Sequence, residues 1–172
     1  MLETPRLRLR RHGLADFPSS LALWTDPIVT RYIGGRPLTE EEVWARLLRY
    51  VGHWQLLGYG FWLLEDAEGF AGEVGFMDHR RELEPSLVGL PELGWVLAPR
   101  VHGRGYATEA ARAALAWADA TLDADRTACI IHPENAQSHR VAAKCGYVEV
   151  AHTTYKGSPT IVYIRARTPV AP

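Results

Sequence analysis

The sequence has few cysteines, and it lacks the residue spacings of metal sites and the long apolar runs of membrane spans. Its two cysteines, Cys129 and Cys145, have neither CxxC spacing nor metal-site neighbours, so we expect buried free thiols. The seven histidines form no HxxxH or HxH pair and no pairing with cysteine at ligand spacing, and we expect no metal. No run reaches the roughly eighteen apolar residues that a membrane helix needs, so we expect no membrane association.

The chain also lacks an excess of charge of either sign. Lysine and arginine number 19 against 20 acidic residues, a formal net charge of -1, which gives no overall attraction to nucleic acid or to an anionic membrane. The opening stretch MLETPRLRLRRHG alternates arginine with leucine, so we expect no secretory signal and a cytoplasmic location. With 172 residues, 47% of them hydrophobic, we expect one domain covering 1–172.

Hydrophobic periodicity predicts helices and strands along the whole chain. Helical spacing covers 15–24, 39–57, 107–122 and 137–145, and the second of these opens with a Thr39 cap and a capping-box Glu42. Strand signals cover 6–11, 60–64, 70–77, 93–97, 127–131, 147–155 and 160–167, with a hairpin turn at 156–159. The segment 25–37 is expected to be a loop or a short turn. Strands that precede, alternate with and follow helices predict an α/β or α+β domain with a mixed sheet.

The most informative stretch is HGRGYATEA at 102–110. Its glycines, Gly103 and Gly105, leave room for a ligand near the backbone, and the following helix start offers unpaired N–H groups. Together with the positive end of the helix dipole, such a turn can hold a pyrophosphate without lysine. A Walker loop is excluded because GK[ST] is absent, and a dinucleotide fingerprint is weakened by Thr108 at its last position. A glycine-softened loop before an ordinary amphipathic helix is the alternative.

Four motifs in order along the chain carry a family resemblance. They are TPRLRLRR, TDPIVTRYIGGRPLTEEEV, ELGWVLAPRVHGRGYATEA and NAQSHRVAAKCGY. In these the chain resembles the Gcn5-related N-acetyltransferase (GNAT) superfamily, and within it the RimJ/RimL-like ribosomal-protein-alanine acetyltransferase branch. The resemblance implies a GNAT-like domain with a mixed, mostly antiparallel sheet of six to seven strands, splayed at the central strands, and about four helices. It also implies acetyl-CoA as cosubstrate and an amine as acceptor.

The resemblance assigns cofactor contacts to individual residues. The family's pyrophosphate loop falls on His102, Gly103, Arg104, Gly105, Tyr106 and Ala107 and runs into Thr108. His102 replaces the Gln or Arg of the family, and because the loop acts mainly through backbone N–H groups, we expect a modest effect on affinity. The backbone of Val96 and Leu97 is expected to pair with the pantetheine arm, and Asn135 matches the family asparagine that contacts the cofactor.

Direct acetyl transfer needs a neutral amine, a polarised thioester carbonyl and a proton for the departing thiolate. The resemblance makes Glu92 the candidate general base, acting through water, and an exposed carboxylate at a strand end is the alternative. Many members of the superfamily use a tyrosine seven residues beyond the asparagine as the general acid, and that position is Ala142 here. The candidate acid is instead Ser138, whose alternative role is to cap the following helix. Cys145 is expected to pack in the core rather than act as a nucleophile.

The sequence leaves the acceptor open. The branch acetylates protein N-terminal amines, while similar chains act on polyamines, amino acids or antibiotics. We expect the acceptor wall around four aromatic residues, which suit core packing equally well: Trp24, Tyr32, Trp54 and Phe76. The near-neutral charge does not favour a strongly cationic acceptor, although Glu73 or Asp78 could bind one. A second hypothesis is a non-catalytic module that binds acyl-CoA. The balance of charges disfavours nucleic-acid binding through the arginines. A homodimer could form.

Overall fold

The computed structural model describes residues 1–168, which form a single α/β domain around one eight-stranded sheet in the order β1-β2-β3-β4-β5-β6-β8-β7. The strands are Leu2–Glu3 (β1), Arg8–Arg11 (β2), Phe61–Asp66 (β3), Gly69–Met77 (β4), Glu92–Leu97 (β5), Arg126–Ile131 (β6), Val148–Tyr155 (β7) and Ser158–Ala166 (β8). Within these residues β5 and β6 are the one parallel pair. The expected mixed, mostly antiparallel sheet is confirmed. Its additional strand, β1, has two residues and is too short for a periodic signal.

Five α-helices accompany the sheet in residues 1–168. They are Phe17–Trp24 (α1), Pro27–Thr30 (α2), Glu40–Leu57 (α3), Tyr106–Thr121 (α4) and Ala136–Lys144 (α5). The expectation of a capping box is confirmed, because the Thr39 hydroxyl accepts from Glu42 N–H and the Glu42 carboxylate accepts from Thr39 N–H. The short helix α2 lies in the segment expected to be a loop or turn. Its four residues cannot show a 3.6-residue period.

The two faces of the sheet pack against different helices. Helix α4 places small buried alanines, Ala110, Ala111 and Ala114, on the face that also carries Phe76 and Leu93. The opposite face packs α1 and the start of α3, and its cluster is Leu23, Trp24, Val29, Val43 and Val96. Because side chains alternate along a strand, β5 therefore presents successive residues to two separate layers. None of the helices in residues 1–168 has the length and hydropathy required to cross a bilayer.

A buried carboxylate joins the α1–α3 layer to the sheet. Glu73 on β4 is fully buried and accepts hydrogen bonds from Ser20 Oγ at 2.8 Å, Trp24 Nε1 at 2.9 Å and Tyr50 Oη at 2.9 Å. His12 Nε2 lies 3.4 Å from Glu73 Oε1, the oxygen that also accepts from Ser20. Burial alone would raise the pKa of Glu73, but His12 and the hydrogen bonds from Trp24 and Ser20 outweigh it and lower the pKa.

We expect Glu73→Gln to lower the free energy of unfolding at neutral pH by about 1–3 kcal/mol, because an amide presents hydrogens to donors that need an acceptor. The depressed pKa adds a pH dependence. The stabilisation is present above the unfolded pKa near 4.5 and is lost as the pH falls through the folded value, so the variant should lose less stability on acidification. Urea unfolding between neutral and acidic pH measures both effects, with the exposed Glu82→Gln as control. An equal change in the free energy of unfolding with pH for the variant and the parent would contradict the lowered pKa of Glu73.

Candidate active site

The centre of the sheet opens between β5 and β6. The two strands share one register pair, Glu92 with Ala128, and Ala128 N–H donates to Pro91 C=O at 3.0 Å. Beyond this pair β5 continues to Leu97 beside β4 alone. The parallel strands β5 and β6 therefore diverge in the middle of the sheet, and their facing edges border an opening. We call this opening the splay.

Backbone direction along β5 alternates, and this decides which residues face the splay. Pro91 C=O points to β6, whereas Ala98 N–H donates to Ala71 C=O on the β4 side at 2.9 Å. Alternate residues of a strand send their N–H and C=O to alternate sides. Trp95 and Leu97 therefore direct their backbone groups towards the splay, and Val96 directs its own towards β4. The register favours Trp95 over Val96 for the pantetheine contact that the sequence assigned.

The glycine loop lies past the end of β5. Gly103 and Gly105 have φ angles of +74° and +78°, in the left-handed region that favours glycine, and α4 begins at Tyr106. The loop from His102 to Gly105 is exposed, and a Cβ built on Gly103 would meet nothing within 4 Å. A positive-φ turn that leads into a helix start clusters backbone N–H groups around one concavity, as an anion site requires. Ala107 and Thr108 occupy the first turn behind it, as the sequence predicts.

Residues distant in sequence hold this loop in place. Arg6 Nη1 donates to Arg104 C=O at 2.9 Å, while Arg6 Nε donates to Glu109 at 2.7 Å. Glu109 also accepts from Thr4 Oγ1 at 2.6 Å. Burial would raise the pKa of Glu109, but these hydrogen bonds from Thr4 and Arg6 lower it overall, so the carboxylate stays ionised. The TPRLR segment therefore braces the loop, a role that its strand-like alternation does not reveal.

His102 joins the loop to the strand before it. Its Nε2 lies 2.9 Å from the C=O of Leu97, which faces the splay. The imidazole thus spans the short turn between β5 and the loop. This contact gives His102 a role in ordering the turn, while its expected modest effect on cofactor affinity stays a prediction.

Helix α5 borders the other side of the splay. Asn135 caps it, because Asn135 Oδ1 accepts from Ser138 N–H at 3.1 Å. The cap role considered for Ser138 is therefore wrong. Ser138 Oγ instead accepts from Trp95 Nε1–H at 3.3 Å, a contact between β5 and α5. The Ser138 hydroxyl hydrogen and the Asn135 amide hydrogens are left to bind a ligand.

A cavity of about 910 Å³ lies over the opposite face of the sheet and reaches the splay. Its floor includes Phe61, Glu92, Gly94 and Val96, and its walls come from α1, the segment 31–38, α3 and the β7–β8 hairpin. Gly94 leaves space for the neighbouring aromatic ring, because a Cβ on it would lie 2.8 Å from Phe61 Cζ. The cavity is large enough for a small amine or the end of a peptide.

Glu92 is bound by an arginine on the floor of this cavity. Arg81 Nε and Nη2 each donate to one Glu92 oxygen at 2.7 Å, and Glu92 is 6% exposed. The alternative of an exposed strand-end carboxylate is therefore wrong. His79 Nε2 lies 3.8 Å from Glu92. Burial, followed by Arg81, Arg49 and further nearby cations, lowers the pKa of His79 to about 2, so its ring is neutral at neutral pH.

The aromatic residues expected at the acceptor wall divide between cavity and core. Trp24 and Tyr32 line the cavity, whereas Trp54 and Phe76 belong to the core cluster with α4. The acids considered for a cationic acceptor do not line it. Glu73 is fully buried in its own hydrogen-bond network, and Asp78 pairs with Arg80.

The two cysteines are buried free thiols, as the sequence predicts. Burial raises the pKa of Cys129 and of Cys145, which keeps both protonated and weakly nucleophilic. Residues 1–168 contain no group of three or more His, Cys, Asp or Glu side chains that could hold a metal ion.

The cavity contains functional candidates that sequence reasoning missed. They are His79, Arg81, Arg46, Arg49, Tyr155 and Lys156. The available signal was the pair Arg46 and Arg49, three residues apart on a predicted helix and hence on one side of it. The remaining residues come from loops and a hairpin, and no periodic pattern places those beside a strand.

Comparison with known proteins agrees with this geometry. Residues 6–148 match the family model described as an acetyltransferase (GNAT) domain. A curated Bacillus subtilis protein, YkkB, whose function is uncharacterised, is 32% identical over 95% of this chain and 94% of its own length. A solved GNAT-family structure from Bordetella pertussis is 32% identical, with a TM-score of 0.84 over 96% of this chain and 98% of that one.

More distant structures share the fold. A spermidine N-acetyltransferase from Vibrio cholerae is 19% identical, with a TM-score of 0.74 over 95% of this chain and 97% of that one. The family match covers well over half of the residues, and the B. subtilis relative spans nearly the whole chain. The chain therefore belongs to the GNAT family of acetyltransferases.

Proposed function

We propose that this acyltransferase moves the acetyl group of acetyl-CoA directly to a primary amine bound in the cavity. The observation that carries the proposal is the splay, which connects the glycine loop beyond the end of β5 to the cavity over the opposite face. Cosubstrate and acceptor can thus approach one point of β5 from two sides. A direct transfer uses this arrangement without a nucleophile from the protein, in keeping with the protonated cysteines.

The cosubstrate is held mostly by backbone groups. Within the turn from His102 to Thr108, the N–H groups from Gly103 onward, except that of Arg104, are offered to the pyrophosphate, since His102 and Arg104 N–H donate to Pro99 and Val101 C=O. The helix dipole of α4 adds positive potential. The backbone of Leu97 and Trp95 borders the path of the pantetheine arm, with the Asn135 amide on the far side. Trp95 or Leu97 N–H can also polarise the thioester carbonyl.

Proton transfer is assigned to Glu92 and Ser138. The amine loses its proton through water to Glu92, which Arg81 holds in place through two hydrogen bonds, and the amine nitrogen then attacks the carbonyl carbon. The new C–N bond gives a tetrahedral intermediate, whose collapse breaks the C–S bond. The Ser138 hydroxyl passes its proton to the departing thiolate and takes one in return from the nitrogen, so that the amide and the CoA thiol leave neutral. His79 is neutral beside Glu92, so it adds no positive charge where the amine must lose its proton.

The acceptor is open between two kinds of amine. A RimL structure with the same fold acts on the α-amine of a ribosomal protein, and the V. cholerae enzyme acts on spermidine. Both are under 25% identical to this chain, so their shared fold does not transfer either acceptor. A protein N-terminal amine is in keeping with the RimJ/RimL-like motifs. The proposal also includes a cytoplasmic location and the formation of a homodimer.

We expect Gly103→Val to weaken acetyl-CoA binding at least about tenfold, because its side chain enters the concavity and displaces a charge-assisted backbone contact. The matched control is Gly58→Val at the end of α3. Gly58 has a φ of +73° and an equally open Cβ position, so it carries the same backbone strain away from the loop. Calorimetry with acetyl-CoA compares the two folded variants. Equal affinities would remove the glycine loop from the cosubstrate site.

We expect Glu92→Gln to lower turnover by about 10²- to 10⁴-fold with little change in acetyl-CoA affinity, because a positioned base is lost. The deficit should shrink at high pH, where more of the acceptor amine is already neutral. Turnover-pH profiles of variant and parent measure this recovery. A variant profile that runs parallel to the parent at all pH values would show that Glu92 only holds Arg81 in place.

We expect Ser138→Ala to reduce turnover by about 10²-fold or more while leaving thermal stability within about 1 kcal/mol, because Asn135 supplies the cap of α5. Ser138→Thr retains a hydroxyl and serves as the matched control. Steady-state rates and thermal melts of both variants test the assignment. Full activity in Ser138→Ala would leave the hydroxyl as a partner of Trp95 alone.

A further inference from the structure

The charges around the cavity differ from those of the chain as a whole. The whole sequence has 19 cationic and 20 acidic residues, yet the cavity is lined by six cations and two carboxylates. The cations are Arg31, Arg36, Arg46, Arg49, Arg81 and Lys156. A near-neutral chain has therefore concentrated positive charge at one concave surface, where low-dielectric walls strengthen the resulting field.

Both carboxylates of the lining are already neutralised. Glu92 is paired with Arg81, and Glu42 accepts from Arg36 Nη1 at 2.8 Å and Nη2 at 2.6 Å. Within residues 1–168, none of the four remaining cations forms an ion pair with a carboxylate. Those four are Arg31, Arg46, Arg49 and Lys156. Four cationic residues of the cavity lining thus have no counter-ion from the described part of the chain, and three of them, Arg31, Arg49 and Lys156, are exposed.

Arg46 is the most constrained of these four, and Arg49 lies one helical turn further along α3. The Arg46 guanidinium stacks 3.8 Å from the ring centroid of Trp24, and one of its edge nitrogens, Nη1, lies 3.5 Å from Tyr50 Oη. Its buried Nε has no hydrogen-bond partner in residues 1–168. Burial, and then the nearby charge of Arg46, lowers the pKa of Arg49. The two arginines repel each other across one helical turn, and an anion between them would relieve that repulsion.

We infer that the acceptor is an anionic amine, one that carries a carboxylate or phosphate close to the nitrogen that is acetylated. Arginine pairs bind both anions in bidentate fashion, and the floor of the same cavity holds Glu92 for the amine end. A polyamine such as spermidine would meet the unpaired cations and be repelled. The inference rests on the proposed function, because it names the substrate class of that site.

The alternative is that the unpaired cations of the cavity bind the phosphates of acetyl-CoA instead of the acceptor. The glycine loop that is proposed to hold the pyrophosphate lies beyond β5 and does not line this cavity. Kinetic constants separate the two roles, since cations for the acceptor should leave the KM for acetyl-CoA unchanged.

The test is a CoA-thiol release assay with amines that differ in charge but little in size. Glutamate, glutamine and glutamine amide carry two, one and no carboxylates, and phosphoserine is compared with serine. The peptides Glu-Ala-Ala and Gln-Ala-Ala, both amidated, ask whether the anion can come from an N-terminal side chain, and spermidine is the cationic member. We expect kcat/KM to rise about tenfold to hundredfold with each added anion. Preference for spermidine or for the uncharged members would overturn the inference.

The variants Arg49→Gln and Arg46→Gln should raise the KM for the anionic acceptor by about tenfold to hundredfold and leave the KM for acetyl-CoA unchanged. Arg126→Gln, exposed at the start of β6 and outside the cavity lining, is the control. If Arg46→Gln fails to fold because its stacking on Trp24 is lost, the exposed Arg49 alone decides the result. Unchanged acceptor KM in Arg49→Gln would overturn the inference.

Equilibrium binding provides an independent readout without turnover. Calorimetry measures the same charged and uncharged pairs against protein saturated with CoA. Tighter binding of the charged member, weakened in Arg49→Gln, supports the inference, and equal binding or no binding by any member overturns it. Loss of acetyl-CoA binding by the parent protein would instead contradict the proposed function, so the two failures are distinguishable.

Discussion

The parting of β5 from β6 is the constraint on which the rest of the structure depends. A strand in the middle of a sheet normally satisfies its backbone on both sides, and leaving one side open has a cost that a bound ligand can offset. Here the opening begins immediately after the single pair of Glu92 and Ala128. The glycine loop, the Trp95–Ser138 contact and the acceptor cavity all meet at this opening. Without it the two faces of the sheet would be sealed from each other.

The two ligand surfaces use different physics. The glycine loop presents backbone N–H groups and a helix dipole, and it is ordered by Arg6, Glu109 and His102 from outside the concavity. The cavity proposed for the acceptor presents side-chain charges from the segment 31–36, α3 and the β7–β8 hairpin. A family that keeps the first surface and changes the second can retain acetyl-CoA while changing acceptor.

The two buried acids of this sheet face have different surroundings. Glu73 is completely enclosed and serves the layer of α1 and α3, whereas Glu92 lies on the cavity floor beside Arg81. Both sit on the same sheet face, in adjacent strands. Glu73 is surrounded by hydrogen-bond donors of the core, whereas Glu92 borders the cavity in which we propose that the amine binds. Glu73 does not line the cavity, whose own lining has more cations than carboxylates.

The sequence by itself determined the elements other than β1 and α2, the family motifs and the glycine loop. These follow from local causes, namely the period of apolar residues, the capping box at Thr39 and Glu42, and two glycines before an alanine-rich helix. It did not determine that Asn135 rather than Ser138 caps α5, that β5 directs Trp95 rather than Val96 into the splay, or that Arg6 braces Arg104. The tertiary structure alone brought Arg31, Arg46, Arg49 and Lys156 around one cavity. Their charges meet through the approach of α2, α3 and a hairpin, and a local pattern cannot record a field that is summed across separate elements.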